Sequence, residues 1–230
     1  QIAKIPVPLD TTSVALLAPG TVRGDAAFGN LASFGGASVA ENAYYVNGFN
    51  ITNSFRNLNF SQVPFEAIQE QQIKTGGYGA EFGRSLGGVV NQITKRGTNE
   101  FHAGGNIFYT PDSLQNDPAN VYLTNGTLRS DNSKDHTNQW VASAWASGAL
   151  IKDKLFAYGL VSYKKQEDEA FGSVVSSSNS SADAKTPAWL LKMDWNITDN
   201  HLLELTAFSD KQKTDTDVYR NVVGTTERGA

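Results

Sequence analysis

The chain has 230 residues, 40% hydrophobic and 18% charged, with 19 Lys and Arg against 23 Asp and Glu, a formal charge of −4. It contains no Cys, which excludes disulfide frameworks, thiolate zinc sites and Cys nucleophiles. A spanning helix needs ~18 consecutive apolar residues and none occur, whereas a spanning β-strand needs only ~10 residues of alternating polarity and stays open.

No block of Lys or Arg forms a stripe, so no nucleic-acid partner is expected. Gln1 to Pro8 lacks the basic start and apolar stretch of a signal peptide. Residues up to about 100 are Gly-rich and turn-rich, and predict short strands and short helices. Thr12 to Leu17 is a short apolar stretch closed by Pro19-Gly20. Gly35-Gly36 marks a loop over Phe34 to Ser38. Ala43-Tyr44-Tyr45-Val46 predicts a strand, Asn47-Gly48 turns it back, and Phe49-Asn50-Ile51 returns. Thr52 to Asn59 reads as a polar loop. Pro64 to Glu70 predicts a helical turn with Glu66 and Glu70 on one face. Gln71 to Thr75 and Gly88 to Lys95 predict strands.

The second zone is more regular. Strands are expected at Phe101–Thr110, Thr137–Leu150, Leu155–Lys165, Pro187–Ile197 and His201–Lys211. In the fourth, Trp189, Leu191, Met193, Trp195 and Ile197 share one face, and Lys192, Asp194 and Asn196 share the other. In the third, Phe156, Tyr158 and Leu160 oppose Ala157, Gly159 and Val161. Trp189 and Trp195 stand about 20 Å apart along a strand, a separation that suits two aromatic girdles flanking an apolar band ~25 Å tall. The competing reading is core packing in a soluble sandwich. Residues 214 to 230 read as a polar end.

The connections alternate in length. Residues 111–136 and 166–186 are long and polar, while Ile151 to Lys154 and Thr198 to Asn200 are short. Ser173 to Ser181 is a low-complexity polar stretch expected to be mobile. Long loops at one end and short turns at the other characterise outer-membrane barrels; an ordinary antiparallel sheet with two long loops is the alternative. Five strands cannot close a membrane barrel, which needs at least about 8 and about 22 when the lumen is filled. A fragment of a larger protein is expected.

The segment from Ala43 to Phe101 carries a dense pattern. With the residues that flank it, the pattern comprises Glu41-Asn42, Tyr45-Val46, Asn47-Gly48, Lys74-Thr75-Gly76-Gly77-Tyr78, Ala80-Glu81-Phe82-Gly83-Arg84, Gly87-Gly88-Val89, Asn91, Thr94-Lys95 and Gly97-Thr98-Asn99-Glu100-Phe101-His102. This resembles the plug domain of TonB-dependent outer-membrane receptors, and within them the Oar-like group. Ile151 to Phe156 resembles that family's first periplasmic turn. Asn47 stands where the family often has Asp; both suit a tight turn. The resemblance implies a mixed α+β plug domain over residues 1–98, N-terminally incomplete. Residues 99–230 would be antiparallel strands of a transmembrane β-barrel, about 5 of about 22.

The implied function is energy-coupled passage of a substrate across the outer membrane. Implied partners are the TonB complex of the inner membrane, through a TonB-box absent from this chain, the outer-membrane lipid and an unknown ligand. The plug would lie inside the barrel lumen, with short turns periplasmic and long loops extracellular. Two alternatives stand beside this: a non-transporting structural or adhesive outer-membrane protein, and a soluble all-β binding module. The plug motif residues are Gly76, Gly77, Tyr78, Glu81, Gly83, Arg84, Gly87, Gly88 and Asn91. Their glycines are expected to serve positive φ and close backbone approach. Glu81 and Arg84 are expected to pair with each other or with the barrel wall. Phe55, Arg56 and Asn57 are candidates for facing ligand. No enzyme is expected, since no nucleophile elbow occurs and His102, His136 and His201 lack ligand spacing; no metal or cofactor is expected.

Overall fold

A computed structural model of the protein describes residues 10–25, 31–55, 57–83, 85–116, 119–173, 178–222, 225 and 227. In chain order the described residues form helix α1 (Thr11–Ala15) and strands β1 (Thr21–Arg23), β2 (Ala32–Phe34), β3 (Ala43–Val46), β4 (Phe49–Asn50), β5 (Ile68–Lys74) and β6 (Val89–Thr94). Then follow β7 (His102–Thr110), β8 (Val121–Tyr122), β9 (Leu128–Ser130), β10 (His136–Ile151), β11 (Leu155–Ser173), β12 (Ser178–Thr198), β13 (His201–Ser209) and β14 (Lys213–Arg220). The fold is mostly β, with little helix.

One compact unit comprises Gln1–Ala103, Ala146–Leu160 and Trp189–Asp210. It contains a four-stranded sheet in the order β4-β3-β6-β5. β3 and β6 run parallel, from Ala43↔Val89 to Val46↔Gln92, and β5 pairs antiparallel to β6. The unbroken apolar run of β3 signals burial on both faces, and all four of its residues are buried. On one face Tyr44 and Val90 pack with Phe34, Val39 and Phe60. On the other, Tyr45 and Val89 pack beneath Tyr78 and Phe82. Asn47 (φ 49°) and Gly48 (φ 83°) make the turn between β3 and β4, the two-residue connection that positive φ permits.

α1 is capped by Asp10, whose Oδ1 accepts from Ser13 N at 2.8 Å. The helical turn expected to Glu70 is shorter: a 3-10 turn spans only Phe65–Ala67, and Glu70 lies in β5. The ladder to β6 takes over at Ile68, so Glu66 and Glu70 do not share a helical face.

The second unit comprises Gly104–Trp145, Val161–Ala188 and Lys211–Ala230. The long strands β10, β11 and β12 contribute to both units and belong to one sheet, ordered β13-β12-β11-β10-β7. In this sheet β14 also pairs with β12, and β9 with β11. All five expected strands are present, but β11 and β12 have 19 and 21 residues and absorb most of the expected loop 166–186. Ser178–Ser181 is paired with β14 and so is not the mobile stretch expected of it; residues 174–177 fall outside the described residues. Part of the expected polar end is β14.

These segments lacked a strand signal because neither face is apolar, so no alternation of polarity marks them. The pairings Trp189↔Ser209 and Lys185↔Lys213 keep one register. The ladder lapses opposite Pro187, which has no N–H to donate. The other long polar connection holds a 3-10 turn at Asp112–Leu114, then β8 and β9.

Candidate functional site

The motif glycines divide by role. Gly77 takes positive φ, 66°. Gly87 and Gly88 have no such φ but are crowded. A Cβ on Gly87 would stand 2.6 Å from Asn42 Oδ1, and one on Gly88 would run into the Phe34 ring. Gly76 has open space and no positive φ, so neither expected reason applies to it. Gly83 would meet only an ordinary contact, with Ala80 O at 3.7 Å.

Tyr78 closes the loop. Its hydroxyl donates to Gly87 O at 2.9 Å and lies 3.1 Å from Ser85 Oγ. Its ring meets Phe82 edge-on, and Phe82 meets Tyr45 in the same way. Lys74 Nζ sits 4.3 Å over the Phe82 ring. Glu81 is exposed, and Arg84 lies outside the described residues. Asn91 Oδ1 accepts from Gly48 N at 3.2 Å, tying β6 to the β3–β4 turn.

The Thr52–Asn59 loop frames a hollow of about 340 Å³, lined by Ile51, Thr52, Asn53, Ser54, Asn59, Phe60, Ser61 and Asp210. Phe60 is fixed by stacking on Tyr44, with centroids 3.9 Å apart. Burial raises the Tyr44 phenol above its ordinary pKa, and a hydrogen bond with Asn42 partly opposes this. Asp210 Oδ2 accepts from Gln62 N at 2.8 Å. Phe55 is 88% exposed and outside the lining. Asn57 holds φ 54° and donates its N–H to Asn53 O. Arg56 lies outside the described residues.

Several contacts join the four-stranded sheet and its outgoing segment to the long strands, and none was singled out from the sequence. Asn47 Nδ2 reaches both Thr94 Oγ1 and Thr206 Oγ1 at 2.9 Å. Tyr158, 1% exposed, donates to Glu66 O at 3.5 Å. Arg96 pairs with Glu204 and stands 3.7 Å from Asp194. Lys192 Nζ lies 3.8 Å from Asp194 and 3.9 Å from Glu204. A Cβ on Gly97 would stand 2.5 Å from Ala157 O and 2.8 Å from Gly148 O. Asn99 and Asp153 exchange two hydrogen bonds, at 2.6 and 2.9 Å. Burial lowers the Lys95 pKa, opposed by Glu66.

The strands are inside out relative to a soluble sheet. On β12, Leu190, Lys192 and Asp194 are at most 4% exposed. Their neighbours Trp189, Leu191, Trp195 and Ile197 are exposed, the two Trp at 44% and 45%. On β13, Leu203 and Leu205, opposite Trp195 and Met193, are exposed, as are Leu202 and Glu204 of the other parity. A soluble sandwich would bury this apolar face.

Among the described residues no three His, Cys, Asp or Glu side chains come together as metal ligands. His136 pairs with Asp112 at 2.9 Å, His102 lies 3.6 Å from Glu100, and His201 meets Thr198. No described helix is long and apolar enough to cross a membrane, which says nothing about crossing by strands.

No protein-family model matches the chain. A curated relative, the TonB-dependent transporter Oar of Myxococcus xanthus, is 34% identical over 148 residues, covering 64% of this chain and 13% of that protein. The siderophore receptor PirA of Acinetobacter baumannii has a similar structure, with TM-score 0.64 and 25% identity, over 93% of this chain and 30% of that one. PirA of Pseudomonas aeruginosa matches in fold, with TM-score 0.50 and 18% identity, over 94% of this chain and 39% of that one. The chain therefore spans a minor part of the length of each protein it matches. These relatives are a transporter and two siderophore receptors.

Proposed function

We propose that this chain, an Oar-like piece of a TonB-dependent receptor by sequence and fold, supplies the plug and the first wall strands of an outer-membrane transporter. Residues 1–98 are the plug and 99–230 the start of the barrel. The whole receptor carries out energy-coupled passage of a substrate, driven by the TonB complex of the inner membrane. The short turns at 151–154 and 198–200 are periplasmic, and the long connections extracellular. The chain performs no chemistry on the substrate.

The observation that carries this reading is the inversion of β12. Trp189, Leu191, Trp195 and Ile197 face outward, while Lys192 and Asp194 are buried beside Arg96. An apolar exterior with a polar interior is stable only where the exterior meets lipid. It disfavours a soluble binding module, which has no use for an exposed band of this kind. The motif residues fit a plug: Gly87 and Gly88 permit tight chain passage, and Tyr78 pins the loop. Phe55, Arg56 and Asn57 remain the candidates for ligand contact.

Fractionation of source cells, with a blot against this segment in boiled and unboiled samples, tests the reading. A heat-shifted outer-membrane band several times larger than 24.8 kDa is expected. A soluble band near 24.8 kDa would overturn it.

A further inference from the structure

The hollow at the Thr52–Asn59 loop has walls that are held from behind. Thr52 Oγ1 accepts from Tyr44 N at 2.8 Å, and Phe60, 5% exposed, stacks on the Tyr44 ring. Thr52 and Phe60 form a β-bridge. The neck of the loop is closed by Asn53 N donating to Asn59 O at 2.8 Å and Ser61 N donating to Ile51 O at 3.2 Å. These backbone groups are met within the loop, so the walls need no ligand to hold their shape.

The polar lining is not met in the same way. Among the described residues, Ser54 Oγ, Ser61 Oγ and Asn59 Nδ2 have no hydrogen-bond partner. Asp210 Oδ2 accepts from Gln62 N at 2.8 Å, while Oδ1 has no partner and no cation pairs with it. Asp210 is also the one charged residue of the described lining.

This inventory selects a ligand chemistry. A divalent cation such as calcium takes about six to eight oxygens and more carboxylate charge than Asp210 supplies. A guanidinium is recognised best through two parallel bonds to both carboxylate oxygens, and Gln62 N already holds Oδ2. An ammonium is a compact charge with three donors, which suit Asp210 Oδ1 and the two hydroxyls. Asn59 Nδ2 can only donate, so it calls for an oxygen acceptor close to that ammonium. Phe60 is too buried to add an aromatic platform, which leaves charge and hydrogen bonds to decide. At about 340 Å³ the hollow is at the small end of ligand sites and takes one such group.

We propose that this hollow binds a primary ammonium group of the transported substrate that carries a neighbouring oxygen acceptor. Asp210 is its counter-ion, and Ser54, Ser61 and Asn59 are its hydrogen-bonding partners. This rests on the receptor reading above and adds a substrate class to it. A peptide amino terminus and an amino sugar both present this chemistry.

The test uses the full-length receptor in detergent, with binding read by calorimetry. The probes are alanyl-alanine amide and glucosamine, each beside its N-acetylated, uncharged form. At least one ammonium probe is expected to bind on the order of tenfold more tightly than its acetylated form, and the one that does identifies the source. D210N keeps an acceptor for Gln62 N and should weaken that probe on the order of tenfold. D215N, in the other unit, removes the same charge and should leave binding unchanged. Failure of both ammonium probes to bind, or equal binding of the acetylated forms, would overturn the proposal. So would unchanged binding by D210N that keeps its heat-shifted barrel, or an equal loss in D215N. Each of these leaves the receptor reading standing, whereas absence of the wild type from the outer membrane would overturn both.

Discussion

Asn47 donates from its side-chain amide to Thr206 Oγ1 at 2.9 Å, although the two residues are 159 apart in sequence. The same side chain accepts from Thr94 N at 3.0 Å, so one turn residue ties the sheet to itself and to β13. Asn47→Ala removes these bonds and puts a less tolerant residue at positive φ. A loss of about 2–3 kcal/mol is expected. Asn47→Asp keeps the acceptor and the turn, and should cost about 1 kcal/mol or less. The midpoint of the heat shift of the full-length protein reads both; equal midpoints for Ala and wild type would refute the tie.

The crowded glycines should separate from the open one. Gly88→Ala drives a methyl into the Phe34 ring and is expected to cost about 1–3 kcal/mol. Gly76→Ala meets nothing within 4 Å and should be neutral or stabilising by up to ~1 kcal/mol. Denaturant midpoints decide, and the reverse ranking would contradict the packing described.

Lys192 and Asp194 are both nearly buried and 3.8 Å apart, so losing one takes a charge partner from the other. Lys192→Met is expected to destabilise by about 3–5 kcal/mol, and K192M/D194L by much less. A double-mutant cycle measures this. Additive losses would mean that the two residues are not coupled.

Asp112 accepts from Thr137 N at 2.9 Å and faces His136 Nδ1 at 2.9 Å. The Thr137 bond first, then His136, holds its carboxyl below its ordinary value of 3.8. A folded pKa below the unfolded one stabilises at pH above the unfolded value. That contribution is lost as pH falls through the folded value. Protection of the Thr137 amide from hydrogen exchange should therefore persist down to the ordinary carboxylate pKa and fail only below it. Asp112→Asn should remove the pH dependence. Loss of protection already near neutral pH would contradict the arrangement.

Much of this was legible in the sequence, and the gaps have physical causes. β3, its Asn47-Gly48 turn and the two faces of Trp189–Ile197 could be read because burial or alternation marks them. The extensions of β11 and β12 could not, because polar residues on both faces carry no period. Lys192 and Asp194 were visible as a polar face, but their closeness to Arg96 depends on a fold that joins residues about a hundred apart. Asn42 was seen only as part of a motif, yet its side chain donates to Ala32 O and accepts from Gly88 N, bridging β2 and the residue that precedes β6. Gly76 shows the converse: a motif glycine for which the structure supplies no steric reason.

In an outer-membrane wall strand, Leu191 meets lipid and Lys192 the interior. A spin label at Leu191→Cys and, separately, at Lys192→Cys in the reconstituted full-length protein tests it most directly. Relaxation by oxygen, which concentrates in lipid, is compared with relaxation by a water-soluble nickel chelate. Strong oxygen relaxation is expected at Leu191 and weak exposure to either agent at Lys192. Nickel-dominated relaxation at Leu191, or the opposite ranking, would contradict it.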